Sequence, residues 1–178
     1  MIMKKKLLFA AIIGLVLHFN MFAQKGYAEK INQLNEKGQK VGLWKENRNK
    51  YERTEIYYHN GKKNGLYRVL NITNGELYFF GEYKNDTIIG TCYFFGDFGH
   101  LSMIQKDFKK NNKRIPIKGV QGILPYQCYC ITYHPNGIKE SEGILLWSED
   151  SDGEFTFEYG EWKYYTDTGV LTKTKIFK

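Results

Sequence analysis

The sequence has few of the residues needed for a disulfide framework or a metal centre. Among 178 residues there are three cysteines and four histidines. Because three cysteines cannot all pair within one chain, composition excludes a fold built on disulfides. Cys92, Cys128 and Cys130 are expected to be small buried residues. A bridge from Cys92 to one of the other two remains open.

The motifs of common catalytic sites are also absent. The chain has no Gly-x-Ser-x-Gly elbow, phosphate-binding loop or metalloprotease helix. His59 and His134 occupy equivalent places beside Asn-Gly pairs, so they are expected at hairpin ends rather than as zinc ligands. The acidic stretch at 149–154 lacks the spacing of a calcium loop and is expected to be a hairpin loop. We therefore predict no catalytic residue, no metal, no cofactor and no enzymatic activity.

Only the first residues form a long apolar run. Three lysines at 4–6 precede an uncharged apolar stretch at 7–17, and Ala23 offers a small residue for cleavage. This pattern predicts a secretory signal peptide at 1–23 and an exported protein, periplasmic or secreted. An uncleaved anchor helix is the alternative. After cleavage, residues 24–178 form the predicted repeat domain, with no transmembrane segment.

The charge excess is small. Cleavage removes three lysines and no acid, so the formal net charge falls from +7 to +4. The basic residues are spread among acids and aromatics, whereas a nucleic-acid-binding protein shows a basic patch or stripe. We therefore predict no nucleic-acid partner.

Strand-forming residues separated by turn signals make up the rest of the chain. Aromatic residues are 16% of the sequence, and only three prolines occur. The pairs at 60–61, 74–75 and 136–137 are Asn-Gly, which favours tight hairpin turns. Pro116 and Pro125 lie in the interval 106–127, a possible irregular insertion. The composition predicts an all-β protein of consecutive hairpins.

Internal repetition is the strongest pattern in the sequence. Residues 38–45, Gly-Gln-Lys-Val-Gly-Leu-Trp-Lys, return 23 positions later as Gly-Lys-Lys-Asn-Gly-Leu-Tyr-Arg. Residues 78–84 correspond in the same way to residues 157–163. The common core is Gly-x-aromatic-basic, and its glycines and rings are Gly42 with Trp44, Gly65 with Tyr67, Gly81 with Tyr83, and Gly160 with Trp162.

The position of the repeat glycine predicts a bulge. Phe157 and Tyr159 share one strand phase, and Trp162 continues on the other. Glycine is the residue that a bulge tolerates best. We therefore expect a bulge at Gly160, and at its equivalents, that keeps the rings on both sides of the glycine on one buried face.

These motifs resemble MORN repeats, and more closely the bacterial MORN-variant repeat of YwqK-like proteins. The resemblance covers most of 35–101 and again 130–171. It implies consecutive hairpins in an elongated, curved antiparallel sheet, with the repeat glycines and aromatics as structural positions. Residues 90–93 lack the motif aromatic, and 108–127 do not match.

Three tyrosines on the other strand phase are the candidate surface-binding residues: Tyr57, Tyr129 and Tyr165. The first functional hypothesis is a protein-interaction or scaffold module that binds an envelope protein or a second copy of itself. The alternative is a module that binds glycan or cell wall through exposed Tyr and Trp. A continuous row of exposed rings would favour glycan binding, whereas packed rings with an exposed sheet edge would favour protein binding.

Overall fold

Strands dominate the computed structural model, which describes residues 30–111, 124–150 and 153–178. In chain order the elements are β1 (Gln33–Leu34), β2 (Lys40–Asn47), β3 (Glu52–His59), β4 (Lys62–Asn71), β5 (Leu77–Lys84), β6 (Thr87–Phe95), a 3-10 turn (Asp97–Gly99), β7 (Leu101–Lys110), β8 (Tyr126–Tyr133), β9 (Lys139–Asp150), β10 (Gly153–Tyr165) and β11 (Leu171–Phe177). The predicted all-β class is confirmed.

The eleven strands form one open antiparallel sheet in sequence order, from β1 to β11. Every strand pairs with its neighbours in the chain, so the sheet is a series of consecutive hairpins, as predicted. The sheet lies within Ile31–Lys178, one of two compact units into which the chain divides. In the described part of the chain, no helix is long and apolar enough to cross a membrane.

The hairpin turns follow local backbone preferences. Asn60 and Gly61 have φ values of 49° and 79°, the left-handed pair that a two-residue turn requires. Asn85 and Asp86 adopt the same conformation, with φ values of 50° and 64°. This second turn carries no glycine, so the sequence pattern does not signal it.

Three predicted regions lie partly or wholly outside the described residues. The signal peptide at 1–23 lies outside, so the structure does not test it. Within the interval 106–127, β7 continues to Lys110 and β8 begins at Tyr126. Both ends of the possible irregular insertion therefore belong to the sheet, and residues 112–123 lie outside the described part. Likewise, most of the expected loop at 149–154 is strand, since β9 reaches Asp150 and β10 begins at Gly153.

Cross-strand register places all four motif rings on one face. Trp44 pairs with Ile56, Ile56 with Tyr67, and Tyr67 with Gly81, two residues before Tyr83. Directly opposed residues share a face, as do residues two apart in a strand. We call this side of the sheet the ring face. Its aromatic residues include Trp44, Tyr58, Tyr67, Phe79, Tyr83, Phe94, Trp147, Trp162 and Tyr164.

The expectation that a bulge keeps all rings of a strand on one face is wrong. In β10, Tyr159 pairs with Ile144 and Lys163 pairs with Glu142, so four steps along β10 oppose two along β9. The bulge inserts an even number of residues and therefore preserves strand alternation. Tyr159 consequently faces the side opposite to Trp162.

The ring face carries the main buried cluster. Cys128, Cys130, Leu145 and Trp162 are each no more than 8% exposed. Partly buried side chains pack around them, namely Met103, Phe108, Trp147, Tyr164 and Phe177. Large rings cover this face because aromatic side chains bury the most apolar area per residue.

Candidate interaction surfaces

Three of the four repeat glycines have the left-handed backbone that a bulge requires. Gly42, Gly65 and Gly160 have φ values of 69°, 122° and 68°. The register shifts beside Gly65 and Gly160. L-residues avoid this region because their β-carbon clashes with the backbone. These glycines are therefore conformational requirements of the fold.

Gly81 serves a different purpose, because its φ is not in the left-handed range. A β-carbon built there would lie 3.0 Å from the Cys92 sulfur and 3.0 Å from the ring of Phe79. Gly81 therefore provides space. The register between β5 and β6 does shift beside Gly81, but the extra residues belong to β6, around Gly90 with φ 70°, so the bulge expected in the strand of Gly81 lies in its neighbour. The site of Gly143 in β9 is tighter still, since a β-carbon built there would lie 2.5 Å from the Trp162 ring.

Sequence reasoning did not identify Gly143. The available signal was a glycine inside a strand-like segment, followed by the apolar run at 144–147, which indicates a close approach by another group. What it could not show is which group approaches. That group is the indole of a repeat ring on the neighbouring strand.

The motif rings pack within the sheet. Trp162 is 2% exposed, and its indole Nε1 donates a hydrogen bond to the Ile144 carbonyl at 2.8 Å. Tyr67 and Tyr83 meet edge to face, with ring centroids 5.6 Å apart. Trp44 packs in the same manner against a neighbouring ring, 6.1 Å away. These contacts assign the motif rings to packing.

The register places the candidate surface residues Tyr57, Tyr129 and Tyr165 on the face opposite to the rings. Tyr129 and Tyr165 converge on Glu142, to which their hydroxyls donate at 3.0 Å and 2.6 Å. Tyr57 is 37% exposed and lies on β3. Since β3 and β8 are five strands apart, Tyr57 lies about 24 Å from Tyr129. The three tyrosines therefore do not form a continuous row.

Glu142 is the centre of a polar group that joins β8, β9 and β10. Lys139 Nζ lies 2.9 Å from its carboxylate, beside the two tyrosine hydroxyls. Burial opposes ionisation, but hydrogen bonds from Tyr165, Lys139 and Tyr129 outweigh it and lower the pKa of Glu142. Burial and the hydrogen bond to Glu142 raise the pKa of Tyr129 to about 12. Because both hydroxyls are occupied, this group holds three strands together.

The last strand presents an exposed edge. β11 pairs with β10, and no strand lies on its other side among the described residues. Six of its seven residues are exposed, and Leu171 and Ile176 are 51% and 59% exposed. Lys173 lies 4.6 Å from the centre of the Tyr164 ring. An edge with free backbone groups can pair with another chain.

The cysteines are buried as expected. Cys92, Cys128 and Cys130 are each at most 2% exposed, and Cys92 and Cys130 are free thiols. Burial raises the pKa of Cys92 to about 12, and burial with the nearby charge of Glu158 raises that of Cys130 to about 11. Over the described ranges, no group of three or more His, Cys, Asp or Glu side chains could hold a metal ion.

Comparison with known proteins does not place the chain in a family: no family model, no curated protein and no solved structure matches it.

Proposed function

We propose that this chain is an exported, non-enzymatic repeat protein of the MORN-variant type. It acts as a protein-interaction or scaffold module of the cell envelope. Its partner is another envelope protein or a second copy of the chain, and the contact is made along the outer edge of β11. The sequence resemblance supports the repeat type, and the fold of consecutive hairpins agrees with it.

The exposed edge of β11 is the observation that carries the proposal. An extended segment added to a sheet edge gains main-chain hydrogen bonds, and alternate side chains then provide specificity. Leu171 and Ile176 add exposed apolar surface at the two ends of this strand. Between these apolar ends, β11 carries Lys173 and Lys175. Edge lysines disfavour pairing with an identical strand, and a partner strand that carries acidic residues would complement them.

The packing of the rings supports protein binding over glycan binding. Trp162 is buried, and the hydroxyls of Tyr129 and Tyr165 are engaged by Glu142. Sugar binding by aromatic stacking needs an accessible ring face. Lys106 lies 5.7 Å from the centre of the Tyr129 ring and Lys139 lies 5.4 Å from that of Tyr165, so these residues offer little accessible ring face.

One aromatic pair favours glycan binding as the second candidate function. Tyr126 is 40% exposed and stacks on Trp147, with ring centroids 4.7 Å apart and an interplanar angle of 30°. An exposed ring supported from behind is a suitable platform for a sugar. The pair is a single site on the ring face, so it would hold one or two sugar units.

A photo-cross-linking experiment tests the edge. A photoreactive phenylalanine analogue replaces Ile176 in the full chain, expressed in its own cells. The matched control carries the analogue at Ile72, which is 37% exposed but lies between β4 and β5. We expect an adduct of discrete mass from position 176 and none from position 72.

The other outcomes overturn the proposal or change the partner class. An adduct of twice the chain mass identifies a second copy, which size-exclusion chromatography of the purified protein then checks. Glycan binding would replace protein binding as the proposed function if no protein adduct forms, the chain sediments with purified peptidoglycan, and Tyr126→Ala abolishes that sedimentation. Equal adducts from both positions, or none together with no sedimentation, would refute both.

Export has a separate test, since it depends only on the first residues. Intact-mass measurement of the protein from the envelope fraction should give a chain that begins at Gln24. A full-length chain in the membrane fraction would instead indicate an uncleaved anchor.

A further inference from the structure

A buried carboxylate on the face opposite to the rings holds three cations. Glu55 on β3 is 5% exposed. It lies 2.6 Å from Arg68 on β4, 3.2 Å from Arg53 on its own strand and 3.4 Å from Lys45 on β2. Register brings these groups together, since Lys45 and Arg68 are the direct cross-strand partners of Glu55. We call these four residues the Glu55 cluster.

The cluster carries more positive charge than its carboxylate can neutralise. Three cations and one anion leave a formal charge of +2. Glu55 is buried, whereas the side chains of Lys45, Arg53 and Arg68 are 34%, 38% and 43% exposed. The anion therefore lies beneath the cations and fixes their positions. Cations that are already ordered lose little conformational entropy when they bind a ligand.

Apolar side chains border the cations on the same face. Arg53 lies opposite Leu70, and Arg68 lies opposite Phe80. Beyond Glu55 along β3, Tyr57 is 37% exposed. The surface thus has a cationic centre with apolar side chains on its β4 and β5 side, and the polar residues Asn47 and Glu82 also lie on this face.

We propose that the Glu55 cluster docks an acidic segment of a partner protein, with carboxylates and apolar residues in alternation. The apolar border favours such a segment over a purely phosphate-bearing ligand. Carboxylates at alternate positions of an extended segment are about 7 Å apart, and cations on β2 and β4 are about 10 Å apart. Two such carboxylates can therefore reach cations on both strands. The inference rests on the proposed protein-binding function and assigns it a second surface, separate from the β11 edge.

The test uses a defined probe. A synthetic peptide, acetyl-Glu-Leu-Glu-Tyr-Glu-Leu-Glu-amide, is titrated into the full mature chain at low salt by calorimetry. A peptide with glutamine in place of each glutamate serves as the uncharged counterpart. We expect binding of the acidic peptide, at least tenfold weaker binding of the glutamine peptide, and a steep loss of affinity with added salt.

The variant Lys45→Gln with Arg53→Gln removes the excess charge and keeps the folding risk low. It leaves Glu55 paired with Arg68, which is its shortest contact. The control, Lys109→Gln with Lys110→Gln, makes the same change in net charge at exposed positions on β7. We expect the first variant to lose at least tenfold in affinity and the control to lose less than twofold. Urea unfolding of both variants checks that the fold is retained.

Several results would overturn the inference. They are equal binding of the two peptides, equal loss in both variants, and tighter binding of inorganic phosphate or pyrophosphate than of the acidic peptide. The edge cross-link separates this failure from failure of the proposed function. If position 176 still yields its adduct while the peptide does not bind, the cluster inference alone is wrong. If both are negative, the proposed protein-binding function is wrong as well.

Discussion

Replacing Gly143 with alanine tests how the repeat rings are seated. The added β-carbon would lie 2.5 Å from Cγ and Cδ2 of Trp162. Since carbon atoms pack at about 3.5–4.0 Å, the ring must retreat by about 1 Å. Trp162 is 2% exposed and donates a hydrogen bond to the Ile144 carbonyl at 2.8 Å. The ring therefore cannot move without disturbing both its packing and this bond.

The expected loss of stability follows from these two effects. Overpacking of a well-packed site costs about 1–3 kcal/mol, and a strained or broken hydrogen bond adds about 1 kcal/mol. Gly143→Ala should therefore lower the free energy of unfolding by about 2–4 kcal/mol. A domain has only about 5–15 kcal/mol in total, so the change is easily measured. The assay is urea unfolding at 25 °C, followed by circular dichroism.

A double-mutant cycle separates the clash from other effects of the substitution. In a Trp162→Leu background the ring is absent, and Gly143→Ala should cost less than about 1 kcal/mol. Gly137→Ala is the control for backbone strain alone, because Gly137 has φ 82° with no atom within 4 Å of the added carbon. It should cost about 1–2 kcal/mol. An equal cost of Gly143→Ala in both backgrounds would refute the reasoning.

Four further predictions follow, one for the backbone, two for the polar group and one for the thiols. Gly42 has φ 69°, and no atom lies within 4 Å of an added β-carbon. Gly42→Ala should therefore lower the free energy of unfolding by about 1–2 kcal/mol, and Gly42→Asn by less. Urea unfolding measures both, and the reverse order would contradict a left-handed requirement. Burial opposes ionisation of Glu142, but hydrogen bonds from two tyrosines and a lysine lower its pKa. Its contribution to stability is thus present above the unfolded pKa of about 4.3 and is lost as pH falls through the lower folded pKa, so Glu142→Gln should flatten acid unfolding there. Tyr129 has a pKa raised to about 12 by burial and its bond to Glu142. The stability that Tyr129 contributes through this bond is present below the unfolded pKa of about 10 and is lost as pH rises through the folded pKa of about 12. In Tyr129→Phe, an alkaline absorbance titration should therefore show one late-ionising tyrosine fewer. The pKa values of Cys92 and Cys130, raised to about 12 and about 11 by burial, predict no reaction with a disulfide reagent at neutral pH until urea is added; rapid labelling of the folded protein would show that these thiols are accessible.

Local chemistry made the hairpin order predictable. Asn60-Gly61 predicts a two-residue turn because both residues tolerate the left-handed backbone, and the structure has that turn. The 23-residue repeat predicted that Gly42 and Gly65 would be equivalent, and both have positive φ. Each of these inferences needs only residues close together in the chain.

Other local inferences failed because the number of extra residues in a bulge cannot be determined from the sequence alone. The phase change after Gly160 suggested one extra residue in β10, but β10 holds two extra residues there relative to β9. An odd insertion would move Trp162 to the face of Tyr159, whereas an even one leaves them on opposite faces. Likewise, the motif at Gly81 matches that at Gly160, yet the structure uses Gly81 for close packing against Cys92.

The sequence by itself determined that this chain forms hairpins, where three of them turn, and which aromatic positions recur. Backbone preference and strand alternation act over a few residues, so they can be read without coordinates. Only the tertiary structure decided that Trp162 rests on Gly143, that Tyr129 and Tyr165 share Glu142, and that three cations surround one buried carboxylate. These contacts join residues on different strands, and cross-strand register, including each bulge, determines which of them meet.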